Sequence, residues 1–224
     1  MTLTSTHGAT ANRGALRTLT SASAAVALAA ALVAVSAPAA SAAADPVSGG
    51  SAVWGVKESF RNYVSGPIAG GGYTASDGAT RLSSGLIDFP TAGGDVDGTF
   101  FISGKVEFSG TVVFTGHDYG QGAVLEVRLS DPRVEFDGST ATVYADVTSR
   151  EFHGANPALP PGDLVAYGEV AVADLTGVNV DVSGTELDFT SAAGTLHADA
   201  VEPFAGFYSA GTAVDPLSFT TDVS

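Results

Sequence analysis

Val53 to Gly66 reads VWGVKESFRNYVSG and carries the only convincing helical periodicity in a chain that otherwise alternates as strands do. The pattern predicts an amphipathic helix over this stretch, with Ser51 as N-cap and Gly66-Pro67 as the stop. At about 100° per residue, Val53, Val56, Phe60 and Val64 form one apolar stripe. Lys57 and Arg61 flank one border of the stripe. Ser59 and Tyr63 share the other, and their i, i+4 spacing makes them surface neighbours able to address one object.

Composition bounds the rest. Arg13 and Arg17 precede an apolar run from Ala24 to Val35, and the small residues Ala37 to Ala44 follow. This order is that of a secretory signal peptide over residues 1–44, cut near Ala42 to Ala44, which predicts a secreted, extracellular or cell-surface protein. The apolar run falls short of the roughly 20 residues of a spanning helix, and no second candidate follows, so no membrane anchor is expected. Residues 45–224 have the size of one domain with a real core.

Without Arg13 and Arg17, seven basic residues face 24 acidic ones, a formal charge of −17. Such a surface suits solubility outside the cell and argues against nucleic acid or anionic membrane as partner. Cysteine is absent, which excludes disulfides and thiol chemistry. Any iron held here must use His, Tyr, Lys or carboxylate.

After the helix, Ala69-Gly70-Gly71-Gly72-Tyr73 is a glycine-rich loop, but no preceding strand and no G-K-[ST] make it a phosphate cradle. Val106 to Phe114 reads as a strand, the turn formers Gly116 to Gly122 follow, and Val124 to Leu129 reads as the next strand. This predicts a hairpin with His117 near its tip. Val134-Glu135-Phe136, the turn dipeptide Asp137-Gly138 and Ala141 to Val147 form the plainest hairpin signal. Pro160-Pro161-Gly162-Asp163 breaks the chain before a strand over Leu164 to Val172. Shorter strands are expected at Val178 to Val182, Glu186 to Thr190 and Thr195 to Ala198. Glu202-Pro203 introduces an aromatic segment, Phe204 to Gly211, read as one short helical turn. The fold class is mainly β: an antiparallel sandwich or open barrel with one N-terminal helix.

Hydrolytic chemistry is poorly supplied, and no enzyme is expected. No G-x-S-x-G elbow occurs, and His117, His153 and His197 stand in no triad context. Asp95-Val96-Asp97-Gly98 lacks the further ligands of a calcium loop and reads as a solvated turn. By residue chemistry alone, Tyr63 serves either core packing or a flat ligand, His117 is a polar loop residue or a partner to it, and Phe207-Tyr208 is a packing pair.

The segment Trp54-Gly55-Val56-Lys57-Glu58-Ser59-Phe60-Arg61-Asn62-Tyr63, with Gly116-His117, Phe207-Tyr208-Ser209-Ala210-Gly211 and Asp215-Pro216-Leu217, resembles the haem-transport-associated, HtaA-type domain of Gram-positive haem uptake. The likeness runs from about Ser51 to Phe219. It implies that Tyr63 ligates ferric haem b and that His117 hydrogen-bonds the ligating phenolate. It further implies that Ser59 contacts a propionate and that Phe207 and Tyr208 pack on the porphyrin. The implied partners are haem, other haem carriers, an ABC-type haem importer and haemoproteins such as haemoglobin. A homodimer stays open, and the rival reading is a haem-free adhesion or assembly domain.

Overall fold

The computed structural model describes residues 43–224; the expected signal peptide lies, but for its last two residues, outside them. Strands β1 (Asp45–Trp54), β2 (Gly72–Ser76), β3 (Thr80–Arg81), β4 (Ile87–Val96), β5 (Ser103–Phe108) and β6 (Thr111–Asp118) are followed by β7 (Ala123–Asp137) and β8 (Thr140–Arg150). Then come β9 (Leu164–Thr176), β10 (Asn179–Ser183), β11 (Glu186–Thr190), β12 (Ala193–Leu196), β13 (Ala213–Val214) and β14 (Leu217–Val223). Among the described residues the single α-helix is α1 (Glu58–Ser65). All pairings are antiparallel, in the order β10-β11-β14-β1-β4-β5-β7-β8-β9-β12-β13, with β6 joining β2 to β7.

The sheet is curled into a half-barrel. Phe136 of β7 and Phe189 of β11 stand far apart in strand order, yet their ring centroids are 5.5 Å apart. Phe189 stacks on Phe219 of β14 at 4.5 Å, and Phe219 meets Phe108 of β5 at 5.4 Å. These aromatic side chains fill the space that the curl encloses, and their burial is the main force holding it closed.

β7 is one strand of 15 residues, not the two separate strands that its sequence suggested. Its first half pairs with β6 and its second half with β5. Asp131, at a φ of +48°, sits at the register shift between the halves, and its carboxylate accepts from the Gly110 N–H at 3.0 Å. The same turn divides the expected strand over Val106 to Phe114 into β5 and β6, because Gly110 folds back against Ala79 at a φ of +124°. The Asp137-Gly138 hairpin forms as predicted, with Asp137 paired to Thr140. Of the expected solvated turn Asp95 to Gly98, Asp95 and Val96 instead end β4, with Val96 buried, and the turn begins at Asp97, which accepts from the Thr99 and Phe100 N–H groups, each at 2.8 Å.

The helix is shorter than its periodicity suggested. Val53 and Trp54 belong to β1, wedged between β4 and β14, and Ser51 is no cap: its hydroxyl donates to Asp88 in the sheet. The chain turns at Gly55 and Val56, the latter at a φ of +62°, and α1 starts at Glu58. Lys57 at the N-cap supplies no side-chain acceptor; Asp215, from the far end of the chain, supplies it instead and accepts from the Glu58 N–H at 2.8 Å. Arg61, on the border of the apolar stripe, is drawn into the fold. It is 8% exposed and forms an ion pair with the other Asp215 oxygen while donating to the Gly55 carbonyl. A Cβ at position 55 would run into both partners of that pair, so a larger residue there would push the ion pair apart.

An eight-residue helix is marginal alone, so α1 is held by packing. Phe60 meets Phe114 of β6 at 5.1 Å, Phe204 at 5.7 Å and Tyr208 at 6.1 Å. A 3-10 turn lies over Ala198–Ala200, capped by His197, ahead of the Phe204 to Gly211 segment where a helical turn was expected; turns and bends run from Val201 through Tyr208.

Asp215→Ala removes a helix cap and strands a buried guanidinium, so unfolding should become easier by about 3 to 5 kcal/mol. Glu135→Ala, which breaks an exposed pair with Arg133, should cost less than about 1 kcal/mol. Urea unfolding followed by tryptophan fluorescence measures both; equal effects would contradict the assignment of Asp215.

Candidate functional site

Tyr63 lies in the last turn of α1, half-buried, four residues after the exposed Ser59. Its position along the helix follows from Phe60 and Val64, whose full burial rotates Tyr63 to the edge of the covered face. The helix stops at Gly66, and Ile68-Ala69 runs on toward the rim of β6.

His117 sits one residue before the end of β6. Its φ of +58° is left-handed, a conformation uncommon for a residue with a side chain and concentrated at functional sites. The neighbouring Gly116 and Asp118 remain paired with Leu125 and Ala123, but the His117 N–H donates out of the sheet to the Ala69 carbonyl at 2.6 Å. That bond fastens the hairpin rim to the segment just after α1. His117 is 4% exposed, among the few buried polar side chains described.

Here the two elements meet. The Tyr63 hydroxyl and His117 Nε2 are 2.6 Å apart, and the opposite ring nitrogen, Nδ1, lies 3.2 Å from the hydroxyl of Tyr119. The imidazole is thus gripped by two phenols, one from the helix and one from its own hairpin.

Aromatic rings surround this chain of hydrogen bonds. Phe207 stands 6.1 Å from Tyr63 and 4.8 Å from Phe152, and Phe152 stands 6.3 Å from His117. Phe207 keeps 36% of its surface exposed. Tyr208 turns the other way, edge-on to Phe60, with Lys57 Nζ 4.8 Å from its ring centroid. A cavity of about 370 Å³ behind Phe152 is lined by Arg150, Tyr167, Val201 and Gly206; Tyr63 does not line it.

Of the five residues singled out in the sequence, Tyr63, His117 and Phe207 form one contiguous cluster. Tyr208 stands against Phe60 of α1, and Ser59 lies one helical turn from Tyr63. Sequence reasoning missed Tyr119 and Phe152. Tyr119 carried no alternation signal, since it lies just past the end of β6 and the turn alone brings it beside the ring. Phe152 carried none: it is a lone aromatic in a loop rich in Gly and Pro, brought in only by the tertiary fold.

Partial burial raises the Tyr63 phenol above its ordinary range, with Tyr119 and then Tyr208 adding to the shift. The phenol is therefore held neutral near pH 7, as an O–H that can donate or accept. Only a strong positive charge at the oxygen would remove its proton. Among the described residues, no group of three or more His, Asp or Glu side chains could hold a metal ion by itself. The same residues include no helix long and apolar enough to cross a membrane.

The sequence profile of the HtaA family, described as Htaa, matches residues 49–220. The chain belongs to the HtaA family. Its structure is similar to that of the C-terminal domain of HtaA from Corynebacterium glutamicum, at 31% identity and a TM-score of 0.69, covering 80% of this chain and 99% of that one. The N-terminal domain of the same protein is similar at 32% identity and a TM-score of 0.68, with 80% and 98% covered. The heme binding protein HtaB from C. glutamicum is similar at 26% identity and a TM-score of 0.64, with 81% and 96% covered. No curated protein sequence matches the chain. The matched residues thus run from within β1 to within β14.

The raised phenol gives a direct check. In the ligand-free protein Tyr63 should ionise above the ordinary tyrosine value of about 10. Alkaline difference absorbance of Tyr63→Phe should accordingly lack one late-titrating phenol; loss of an early one would contradict the burial argument.

Proposed function

We propose that this HtaA-family chain is a secreted, non-catalytic haem-binding protein that holds ferric haem b through Tyr63 and yields it to a further carrier. The observation that carries the reading is the 2.6 Å contact between the Tyr63 hydroxyl and His117 Nε2 beside exposed aromatic rings. A similar fold in a protein described as heme binding supports it.

The residues fit the group. The haem iron would supply the positive charge that takes the Tyr63 oxygen from phenol to phenolate. His117 Nε2–H would then donate to that oxygen, stabilise its charge and fix its direction, the usual work of a partner placed behind a metal ligand. Phe207, and Tyr208 beyond Phe60, offer apolar faces to a flat macrocycle. Ser59 lies on the exposed helix border where its hydroxyl can meet a carboxylate.

An anionic oxygen ligand favours Fe(III) over Fe(II). Protonation of Tyr63 or reduction of the iron would weaken the bond, which suits release to a recipient. The recipient would be another haem carrier feeding an ABC-type importer, and the haem source would include haemoproteins such as haemoglobin. The N-terminal Arg13, Arg17 and the Ala24 to Val35 run support export.

Titration of the haem-free protein with hemin tests the reading. Saturable binding with a ferric high-spin tyrosinate spectrum is expected, with the tyrosinate features abolished in Tyr63→Ala. Affinity should fall about 10- to 100-fold in His117→Ala. Absence of a saturable Soret band in the unaltered protein would favour a haem-free adhesion domain, and unchanged spectra in Tyr63→Ala would assign the iron to another ligand.

A further inference from the structure

The contact at the far side of the His117 ring carries an inference that rests on the tyrosinate reading and goes beyond it. A phenolate oxygen at Tyr63 can only accept a hydrogen bond. His117 Nε2, 2.6 Å away, must then carry the proton. In a neutral imidazole this leaves Nδ1 as an acceptor, and the tautomer is set by whatever donates to it. The Tyr119 hydroxyl is the group in place, 3.2 Å from Nδ1.

We propose that Tyr119 is the positioning residue that holds His117 in the Nε2–H tautomer and thereby makes it a donor to the Tyr63 phenolate. The arrangement is a relay of fixed polarity: Tyr119 O–H donates to Nδ1, and Nε2–H donates to the Tyr63 oxygen. Donation to Nδ1 draws electron density from the ring and strengthens the Nε2–H as a donor, since hydrogen bonds in series polarise one another.

The local backbone supports the pairing. His117 and Tyr119 straddle Asp118, whose carboxylate accepts from the Gly120 and Gly122 N–H groups at 2.8 and 3.1 Å. Those bonds shape the turn that brings Tyr119 back beside the ring, with centroids 6.2 Å apart. The left-handed backbone at His117 is held by its own N–H bond to Ala69, so the imidazole is fixed from the chain side as well. Tyr119 is 42% exposed, so burial alone does not account for its placement on the ring.

Long-range 15N–1H NMR of the histidine ring nitrogens reads the tautomer directly. The probes are the unaltered protein and Tyr119→Phe, each loaded with gallium(III) protoporphyrin IX, a diamagnetic stand-in for ferric haem. Expected for the unaltered protein is the Nε2–H form with Nδ1 shifted by an accepted hydrogen bond. In Tyr119→Phe the Nδ1 signal should move toward its unbonded position, or the Nδ1–H form should appear. Transfer of ferric haem to apomyoglobin should be about fivefold faster in the variant, the equivalent of one ordinary hydrogen bond. Identical ring-nitrogen signals in both proteins, or an Nδ1–H tautomer in the unaltered one, would overturn the role of Tyr119 alone. Failure of the unaltered protein to take up either porphyrin would overturn the tyrosinate reading and this inference with it.

Discussion

Asp215 meets the segment from Trp54 to Arg61 at four points: its N–H donates to Val56, its carbonyl accepts from the Trp54 indole, and its two carboxylate oxygens take the Glu58 N–H and the Arg61 guanidinium. Arg61 and Asp215 are 154 positions apart in the chain. The contact therefore ties the strand-to-helix turn to the segment leading into β14, where the sheet curls closed. It also replaces the cap that Lys57 lacks and neutralises a guanidinium that burial would otherwise penalise. With α1 so short, its place on β2 and β6 depends on this anchor and on Phe60. The reach of Tyr63 toward His117 depends in turn on that place.

The site inherits a division of labour from the fold. Rigid elements supply the phenol and the imidazole from opposite sides, α1 from one and the β6 rim from the other. The Val201 to Phe207 turns bring Phe207 to the exposed face of the same cluster. A neutral Tyr63 hydroxyl, pushed up by burial and backed by a ring nitrogen, is quiet until a cation arrives. That state suits a carrier: the unloaded cluster keeps no charge on Tyr63, and the loaded one gains a ligand whose hold is reversible.

Much of this was legible in the sequence, for identifiable reasons. Period-two alternation located β8 and β11 because their faces are divided between core and solvent. The Asp137-Gly138 pair located a hairpin because few residues tolerate such a turn. The helix boundary was misread because Val53 and Trp54 continue the helical spacing while their backbone groups are claimed by β4 and β14. The burial of Arg61 was not legible, because a charged residue on a helix border is ordinarily solvated and a carboxylate from the opposite end of the chain makes its burial tolerable. The break at Gly110 and the continuity of β7 rest on Asp131, whose side chain acts across the hairpin. Tyr63, His117 and Phe207 were legible as a set through the resemblance, whereas Tyr119 and Phe152 became visible only through their distances to the His117 ring.

In the proposed haem complex the Tyr63 oxygen is the iron ligand. Resonance Raman spectroscopy of the ferric-haem complex, prepared with ring-deuterated tyrosine, addresses it most directly. Iron-bound phenolate modes that shift with the label and vanish in Tyr63→Phe are predicted. Label-insensitive spectra with histidine-type iron–nitrogen vibrations, unchanged by that substitution, would contradict it.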